Sequence, residues 1–448
     1  MIFINPREVA ADALTEINKI SAYNNVTLRK YLRQNGAMSR KDRAFVTECV
    51  NGTLRNLIYI DYIINHFSKT KTEKMKPFIL SVIRMSVYEI IFMDRVPDSA
   101  ACSEAVELVK KRGLGKLSGF VNGVLRSIAS EWKNVEMPKQ GTPEYISVKY
   151  SHPLWLVKMW LSKYDFDTVE KICMADNSAP DVCICVNIEK TTKEELKKKF
   201  EEKGIKVRDG VYVENALHIK GMADLTELEE FREGLFHVQD ESSMLAVDIL
   251  SPKEGERILD VCAAPGGKSF LSAEKMHNRG EIVSCDIHEH KVELIKMTAD
   301  RLGIDIIDTK LRDASKVSES DFEKYDRVIV DAPCTGFGLI RKKPDIKLNR
   351  TGNDIDTITV LQREILDASV LCVKPGGLLV YSTCTICRKE NEANYKYILD
   401  KGGFEPVDIS QMLPDSLKEF AGEGYIQLLP GINDTDGFFI SAARKKGF

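Results

Sequence analysis

The chain has 448 residues, too many for one ordinary hydrophobic core, so two or three domains are expected. Its 43% hydrophobic and 29% charged content fits a soluble globular protein, and the lack of any apolar run of span length argues against a membrane-spanning one. The net charge of −3 hides an asymmetry: residues 1–130 hold twenty lysines and arginines against twelve acids, a net of +8 that leaves −11 for the rest.

A basic third on an acidic body is what a domain that meets phosphates shows, with a merely solvated helical surface as the plainer alternative. In that third the pattern is helical. Val9, Ala10, Ala13, Leu14 and Ile17 recur at three- and four-residue steps, and Phe45, Val46, Cys49, Val50, Leu54, Leu57 and Ile58 continue the period. The more apolar run Phe78 to Phe92 reads as the central helix of a bundle. Pro97 and Asp98 break the pattern, and helices follow at 99–112 and 120–128. Residues 132–143, with Pro138 and Gly141, read as a linker.

A helix at 155–160, a strand at 182–186, a charged helix at 192–203 and a strand at 204–207 make a small α+β segment, roughly 145–235. Cys183 and Cys185 alternate on one strand face and read as core. From about Gly234 strands and helices alternate, the mark of a doubly wound parallel sheet. Strands are expected at 257–262, 281–285, 306–311, 327–330 and 378–381, with helices at 269–276, 291–301 and 358–372. The tail, 424–429 and 437–442, reads as an antiparallel hairpin closing the sheet.

The first strand of that sheet runs into Asp260-Val261-Cys262, then Ala263, Ala264, Pro265, Gly266, Gly267 and Lys268, and Ser269 opens a helix. Small residues let the backbone approach a ligand, and a helix N-terminus adds amide donors. Asp286 ends the second strand, where a carboxylate can accept both hydroxyls of a ribose. Asp313 ends the third, within reach of an adenine amine. Each acid alone reads equally well as a loop cap; three at successive strand ends favour a cofactor. The spacing Gly-x-Gly-x-x-Gly is absent, and the first glycine of a phosphate loop is replaced by Cys262, so phosphate cradling is disfavoured. S-adenosylmethionine carries no phosphate, and its positive sulfonium and amine suit acidic strand ends.

Two further apolar runs end on cysteine: Asp331-Ala332-Pro333-Cys334 and Ser382-Thr383-Cys384. Both thiols should stand at the same edge of one sheet. Eleven cysteines, an odd number spread over the whole chain, do not form a secreted disulfide framework, and Asn5, Pro6, Arg7 and Glu8 interrupt any signal core. A reducing cytoplasm is expected. Two thiols facing one cofactor pocket point to covalent chemistry on an unreactive carbon such as C5 of a pyrimidine, where thiolate addition at C6 makes C5 enamine-like. Asp331 sits where an acid can stabilise charge on the ring. Buried inert cysteines are the plainer reading. Cys384 and Cys387 also form Cys-x-x-Cys, which leaves redox or half a zinc site as minor alternatives.

The segments 260–269, 331–334 and Thr383-Cys384, with Gln239-Asp240-Glu241-Ser242-Ser243, resemble those of the RNA cytosine-C5 methyltransferases of the Nop2/Sun family, over about 145–448. Val96-Pro97 and Gly119-Phe120-Val121-Asn122-Gly123-Val124-Leu125-Arg126 are similar to the NusB-like RNA-binding domain that the bacterial Sun/Fmu type carries. The resemblance implies an all-α NusB-like bundle at 1–135, a small α+β RNA-binding or linking subdomain at 145–235, and a Rossmann-like S-adenosylmethionine-dependent catalytic domain at 236–448. It implies methylation of C5 of a cytosine in 16S ribosomal RNA through a cysteine–C6 adduct, with Cys384 as nucleophile, Cys334 assisting release and Asp331 supporting the base. The DNA cytosine methyltransferase pattern, with the cysteine after a proline as nucleophile, would instead make Cys334 the attacker, and Thr383-Cys384 favours the first assignment. The cofactor would meet Cys262, Ala263, Ala264, Pro265, Gly266, Gly267, Lys268, Asp286, Asp313 and Asp331. No metal, no membrane and a monomer are expected. The chain departs from the family pattern at Leu348, where an aromatic usually stands, so a stacking role there is in doubt. The basic loop Arg341-Lys342-Lys343 reads as a phosphate contact. A non-catalytic RNA-binding assembly factor and a cytosine N4-methyltransferase stay open as alternatives.

Overall fold

The computed structural model describes residues 4–20, 24–221 and 225–447. Packing divides them into two compact units: residues up to Ser178 with Ile340–Arg350, and Ala179–Leu339 with Thr351 onward. Among the described residues no helix is long and apolar enough to cross a membrane.

The first unit is helical. Helix Pro77–Phe92 is its centre, as its apolar composition predicts: it packs against helices Pro6–Ile20, Arg40–Arg55, Leu57–Phe67, Asp98–Lys111 and Ser118–Glu131. Ile79, Val82, Ile83 and Val87 are buried on it beside Leu14, Val46, Val50, Leu54, Val121 and Leu125. The helical core also takes in an acid. Glu89 is fully buried and is matched by the Arg7 guanidinium at 2.7 Å, so its charge is compensated at burial. Helices Pro143–Lys149, Leu154–Leu161 and Phe166–Asp176 complete the unit. The segment Ile340–Arg350 joins it through buried polar groups. Lys347 Nζ donates to Arg55 O at 2.9 Å and Asn177 Oδ1 at 3.2 Å. Burial pushes that amine down to about 7. Leu348 packs on the bundle core.

The second unit holds two sheets. The smaller has strands β1 (Val182–Val186), β2 (Lys206–Asp209), β3 (Ala216–Lys220) and β4 (Phe236–Val238), all antiparallel, in the order β2-β3-β1-β4. Helix Lys193–Glu202 starts at a capping box between Thr192 and Glu195. Cys183 and Cys185 are buried among Ala216, Met244, Val247 and Leu271, a core position.

The larger sheet contains β5 (Arg257–Asp260), β6 (Glu281–Asp286), β7 (Ile307–Leu311), β8 (Tyr325–Asp331), β9 (Val373–Thr383), β10 (Phe404–Pro406), β11 (Tyr425–Leu428) and β12 (Phe438–Lys445). Their order is β10-β12-β9-β8-β5-β6-β7, with β11 on β12. Strands β5 to β9 are parallel, and β12 runs antiparallel to β9 and to the tail strand β11, so the expected hairpin closes a mixed sheet. Successive strand residues feed opposite cores. Ile258, Ile282, Ile329 and Val380 point to one, and Leu259, Val283, Val328 and Leu379 to the other. Burial on both faces is why these strands read as continuous apolar runs.

Helix Gly267–Lys275 follows β5 and carries one buried acid. Both Glu274 carboxylate oxygens lack a hydrogen-bond partner, and His237 Nδ1 stands 3.8 Å away. Burial pushes Glu274 up to about 8 and His237 down to about 4. A carboxyl raised by folding stabilises fully below its unfolded pKa, and that stability is lost as pH rises through the folded value. Glu274→Gln should therefore match the parent protein near pH 4.5 and gain on it towards pH 8, by up to about 3 kcal/mol at neutral pH. Denaturant unfolding of both proteins across that range measures the difference, and parallel stability curves would refute the assignment.

Candidate active site

The order of the large sheet reverses at β5: β6 and β7 lie on one side, and β8 and β9 on the other. In open α/β sheets such a switch point leaves a crevice outside the carboxyl ends of the strands. The sequence places its acids and thiols at those ends. Read across the sheet, Asp313 follows β7, Asp286 closes β6, Asp260 closes β5, Asp331 closes β8 and Cys384 follows β9.

The turn after β5 is shaped by backbone bonds. Ala263 N donates to Cys285 O at 2.8 Å and Gly266 N to Ala263 O at 2.7 Å, which hangs the turn on β6 and closes it on itself. Gly266 has φ +107°, and a Cβ there would lie 2.3 Å from the Phe270 ring, so only glycine fits. Helix Gly267–Lys275 begins at once, and its first amides have no partner within the helix. Cys262 and Ala264 are half-buried, Ala263 is buried and Pro265 is exposed.

Four carboxylates differ in environment. Asp260 is buried; its Oδ2 accepts from Ser269 Oγ at 2.8 Å, and its Oδ1 has no hydrogen-bond partner. Burial pushes it up to about 7 against the pull of Ser269 and Lys268. Asp286 is nearly buried, accepts from His288 N at 3.0 Å and has Lys291 Nζ at 3.6 Å. Asp313 is half-exposed, and the Ser315 hydroxyl, Lys316 and the Ser315 amide hold it down to about 2. Asp331 joins three elements: Oδ2 accepts from Lys268 Nζ of the turn at 2.6 Å, and Oδ1 from Ser382 Oγ of β9 at 2.9 Å.

The two cysteine loops meet. Cys334 Sγ lies 3.1 Å from Cys384 Sγ, both half-buried. The next residues repeat the contact, with Thr335 Oγ1 2.8 Å from Thr385 Oγ1. Contact with Cys384, burial, and the charges of Glu390 and Asp331 push the Cys334 thiol well above its usual range. Gly338 N donates to Cys384 O at 3.0 Å, and a Cβ on Gly338 would fall 1.8 Å from Gly437 O, so the loop after Cys334 packs backbone to backbone on the start of β12. Cys387 is buried on the far side of its Cys-x-x-Cys, and burial pushes it up to about 12. Among the described residues no cluster of His, Cys, Asp and Glu is disposed to hold a metal ion.

The sequence reading missed the polar residues beneath the thiols. Gln362, Glu390, Asn391 and Asn394 are fully buried. Glu390-Asn391 lies in Arg388-Lys389-Glu390-Asn391-Glu392, a run with the look of a solvated turn; its place just behind a strand-end cysteine was the one available signal.

Comparison with known proteins gives consistent results. The family description "16S rRNA methyltransferase RsmB/F" matches residues 247–444, the NusB family matches 4–130, and an RsmF/B-like ferredoxin-like domain matches 152–226. The chain is 41% identical to a probable ribosomal RNA small subunit methyltransferase B of Bacillus subtilis, over 98% of this chain and 99% of that protein. The crystal structure of PH0851 aligns with TM-score 0.81 at 26% identity, over 99% of this chain and 100% of that one. A methyltransferase homolog from Pyrococcus horikoshii aligns with TM-score 0.57 at 27% identity, over 67% of this chain and 97% of its own.

A disulfide needs sulfurs about 2.05 Å apart, only about 1 Å closer than here. Mild oxidation of the native protein with diamide should therefore link Cys334 to Cys384 before any other pair. Peptide mass mapping identifies the link, and its absence while other cysteines pair would refute the geometry.

Proposed function

The chain belongs to the RsmB/F family of 16S rRNA methyltransferases, and from that premise we propose that it methylates C5 of a cytosine in 16S ribosomal RNA through a thiol adduct. The observation that carries the reading is the 3.1 Å approach of Cys334 and Cys384 at adjacent strand ends beside the small-residue turn.

S-adenosylmethionine is the expected donor of such an enzyme and, when bound, supplies a methyl group on a cationic sulfur. The residues present suit it: a turn without a phosphate cradle, a buried Asp260 oxygen left unpartnered, and acids at four successive strand ends. The segment Cys262–Lys268 with Asp286, Asp313 and Asp331 would hold it.

The RNA chemistry falls to the two thiols. Cytosine C5 is a weak nucleophile, and addition of the Cys384 sulfur at C6 makes it enamine-like. Thiolate addition places negative charge on the ring, and the Asp331 carboxyl in its acid form would pass a proton to N3, from a position that Lys268 and Ser382 fix. Release requires a base to take the C5 proton, whose electrons re-form the C5=C6 bond as the C6–S pair leaves with Cys384 as a thiolate, and N3 returns its proton. Cys334 stands 3.1 Å from the Cys384 sulfur, within reach of it as it departs, and contact with Cys384 and burial push its thiol up, which suits an assisting role. The basic bundle, 1–135, would grip RNA, 145–235 would link, and 236–448 would carry out transfer, in a monomeric cytoplasmic protein. Exposed Lys342 and Lys343 are suited to phosphate.

Cys384→Ala should bring methyl transfer to 16S RNA below detection, and Cys334→Ala should leave a protein–RNA adduct that survives denaturing electrophoresis. Nucleoside analysis of the wild-type product should show 5-methylcytosine. N4-methylcytosine, or full activity in the Cys384 variant, would overturn the proposal.

A further inference from the structure

Beneath the paired thiols lies a buried carboxylate that has no part in the mechanism above. Glu390 is fully buried; Thr335 and Gln362 give it three hydrogen bonds, and the Cys387 thiol also bonds to it. Its Oε1 accepts the Thr335 hydroxyl at 2.5 Å; its Oε2 accepts Thr335 N at 2.9 Å and Gln362 Nε2 at 3.1 Å. Gln362 Nε2 also donates to Pro333 O at 2.9 Å, so the loop is gripped on both sides of Cys334.

The neighbouring residue holds the other loop. Asn391 Nδ2 donates to Thr385 O at 3.0 Å, and Asn391 Oδ1 accepts from Thr383 Oγ1 at 2.6 Å, on either side of Cys384. Counting protons fixes the direction of the link between them. With Glu390 ionised, the Thr335 hydroxyl spends its single proton on it, so the Thr385 hydroxyl donates to Thr335. One dipeptide thus sets two loops against each other, and each loop presents a thiol.

We infer that Glu390 is a positioning residue for the two-thiol reaction: through Thr335 it fixes Cys334 against Cys384, while Asn391 fixes Cys384. A buried acid is a costly way to fill space, and removal of one partner leaves donors unpaired. Three converging donors account for its presence as a geometric device. The same positions explain why an amide can replace it. The oxygen of a glutamine would accept from Thr335 N and Gln362, and its nitrogen would donate to a reversed Thr335–Thr385 hydroxyl chain.

This inference rests on the two-thiol reading, and its test separates the two. Methyl transfer to a 16S RNA transcript is measured for wild type, Glu390→Ala, Glu390→Gln and Thr335→Val. The last keeps side-chain shape and the backbone N–H while removing the hydroxyl. Adduct formation is followed in parallel on the same RNA carrying 5-fluorocytosine, whose fluorine cannot leave as a proton. Glu390→Ala should lose at least 100-fold in kcat and Thr335→Val at least 10-fold, with KM for RNA and for S-adenosylmethionine within threefold. Glu390→Gln should stay within tenfold of wild type. A Glu390→Ala kcat within threefold of wild type, a loss confined to KM, or a Glu390→Gln variant as inactive as the alanine would each overturn the positioning role. A wild-type protein that methylates but never forms the fluorocytosine adduct would overturn the thiol reading instead.

Discussion

Strand β8 runs between β5 and β9, so one strand end must face the small-residue turn after β5 on one side and the second cysteine loop on the other. Asp331 occupies that end. Its two oxygens are engaged by Lys268 of the turn and by Ser382 of β9, one on each flank. Lys268 is nearly buried, so the pair acts in a medium where a charge-assisted bond both holds position and is costly to break. Three residues farther on, the chain delivers Cys334 to Cys384. The adjacency of the small-residue turn and the thiol pair is thus a consequence of sheet order.

Sheet order brings the loops together, but it does not fix two sulfurs at contact distance. Loops beyond strand ends have few neighbours, and the two chains leaving β8 and β9 could splay. Here they are held by buried side-chain bonds: Gln362 and Glu390 on one loop, Asn391 on the other, with Asn394 donating to Gln362 Oε1 at 2.8 Å and Asn391 to Gln427 Oε1 at 2.7 Å. Every member finds a partner, which is the condition under which a buried polar network specifies one arrangement. The helix Gly352–Cys372 supplies Gln362, and the turn before helix Glu392–Asp400 supplies Glu390 and Asn391.

Much of this was legible in the chain. Strands β5, β6, β8 and β9 announced themselves because both their faces are buried, and the acids and cysteines at their ends were visible as breaks in apolar runs. The turn 262–268 was legible from its small residues. Weaker elements were not. Strand β3, Ala216-Leu217-His218-Ile219-Lys220, carries a buried histidine whose Nε2 lies 2.7 Å from Glu241, and that polar interruption hides the strand pattern. Helix Gly352–Cys372 begins well before its first apolar pair, at a Thr351–Asp354 capping box that stands among polar residues. Glu390 and Asn391 were illegible for a deeper reason. A Lys-Glu-Asn-Glu run has the composition of a surface turn, and only tertiary packing turns it inward.

The same packing bears on which atom of cytosine such a site would methylate. An exocyclic amine needs its lone pair freed and its base gripped, work done by a stacked aromatic ring and a few acceptors. Asp331-Ala332-Pro333-Cys334 ends on a thiol where that ring would stand, and a second thiol lies 3.1 Å away. For amine transfer both sulfurs would be idle, and the network of buried Gln362, Glu390, Asn391 and Asn394 would maintain an idle contact at the cost of desolvating an acid. Transfer to carbon employs every part. One sulfur would activate the ring, the other would stand by at its departure, and the acid beneath would keep them in register.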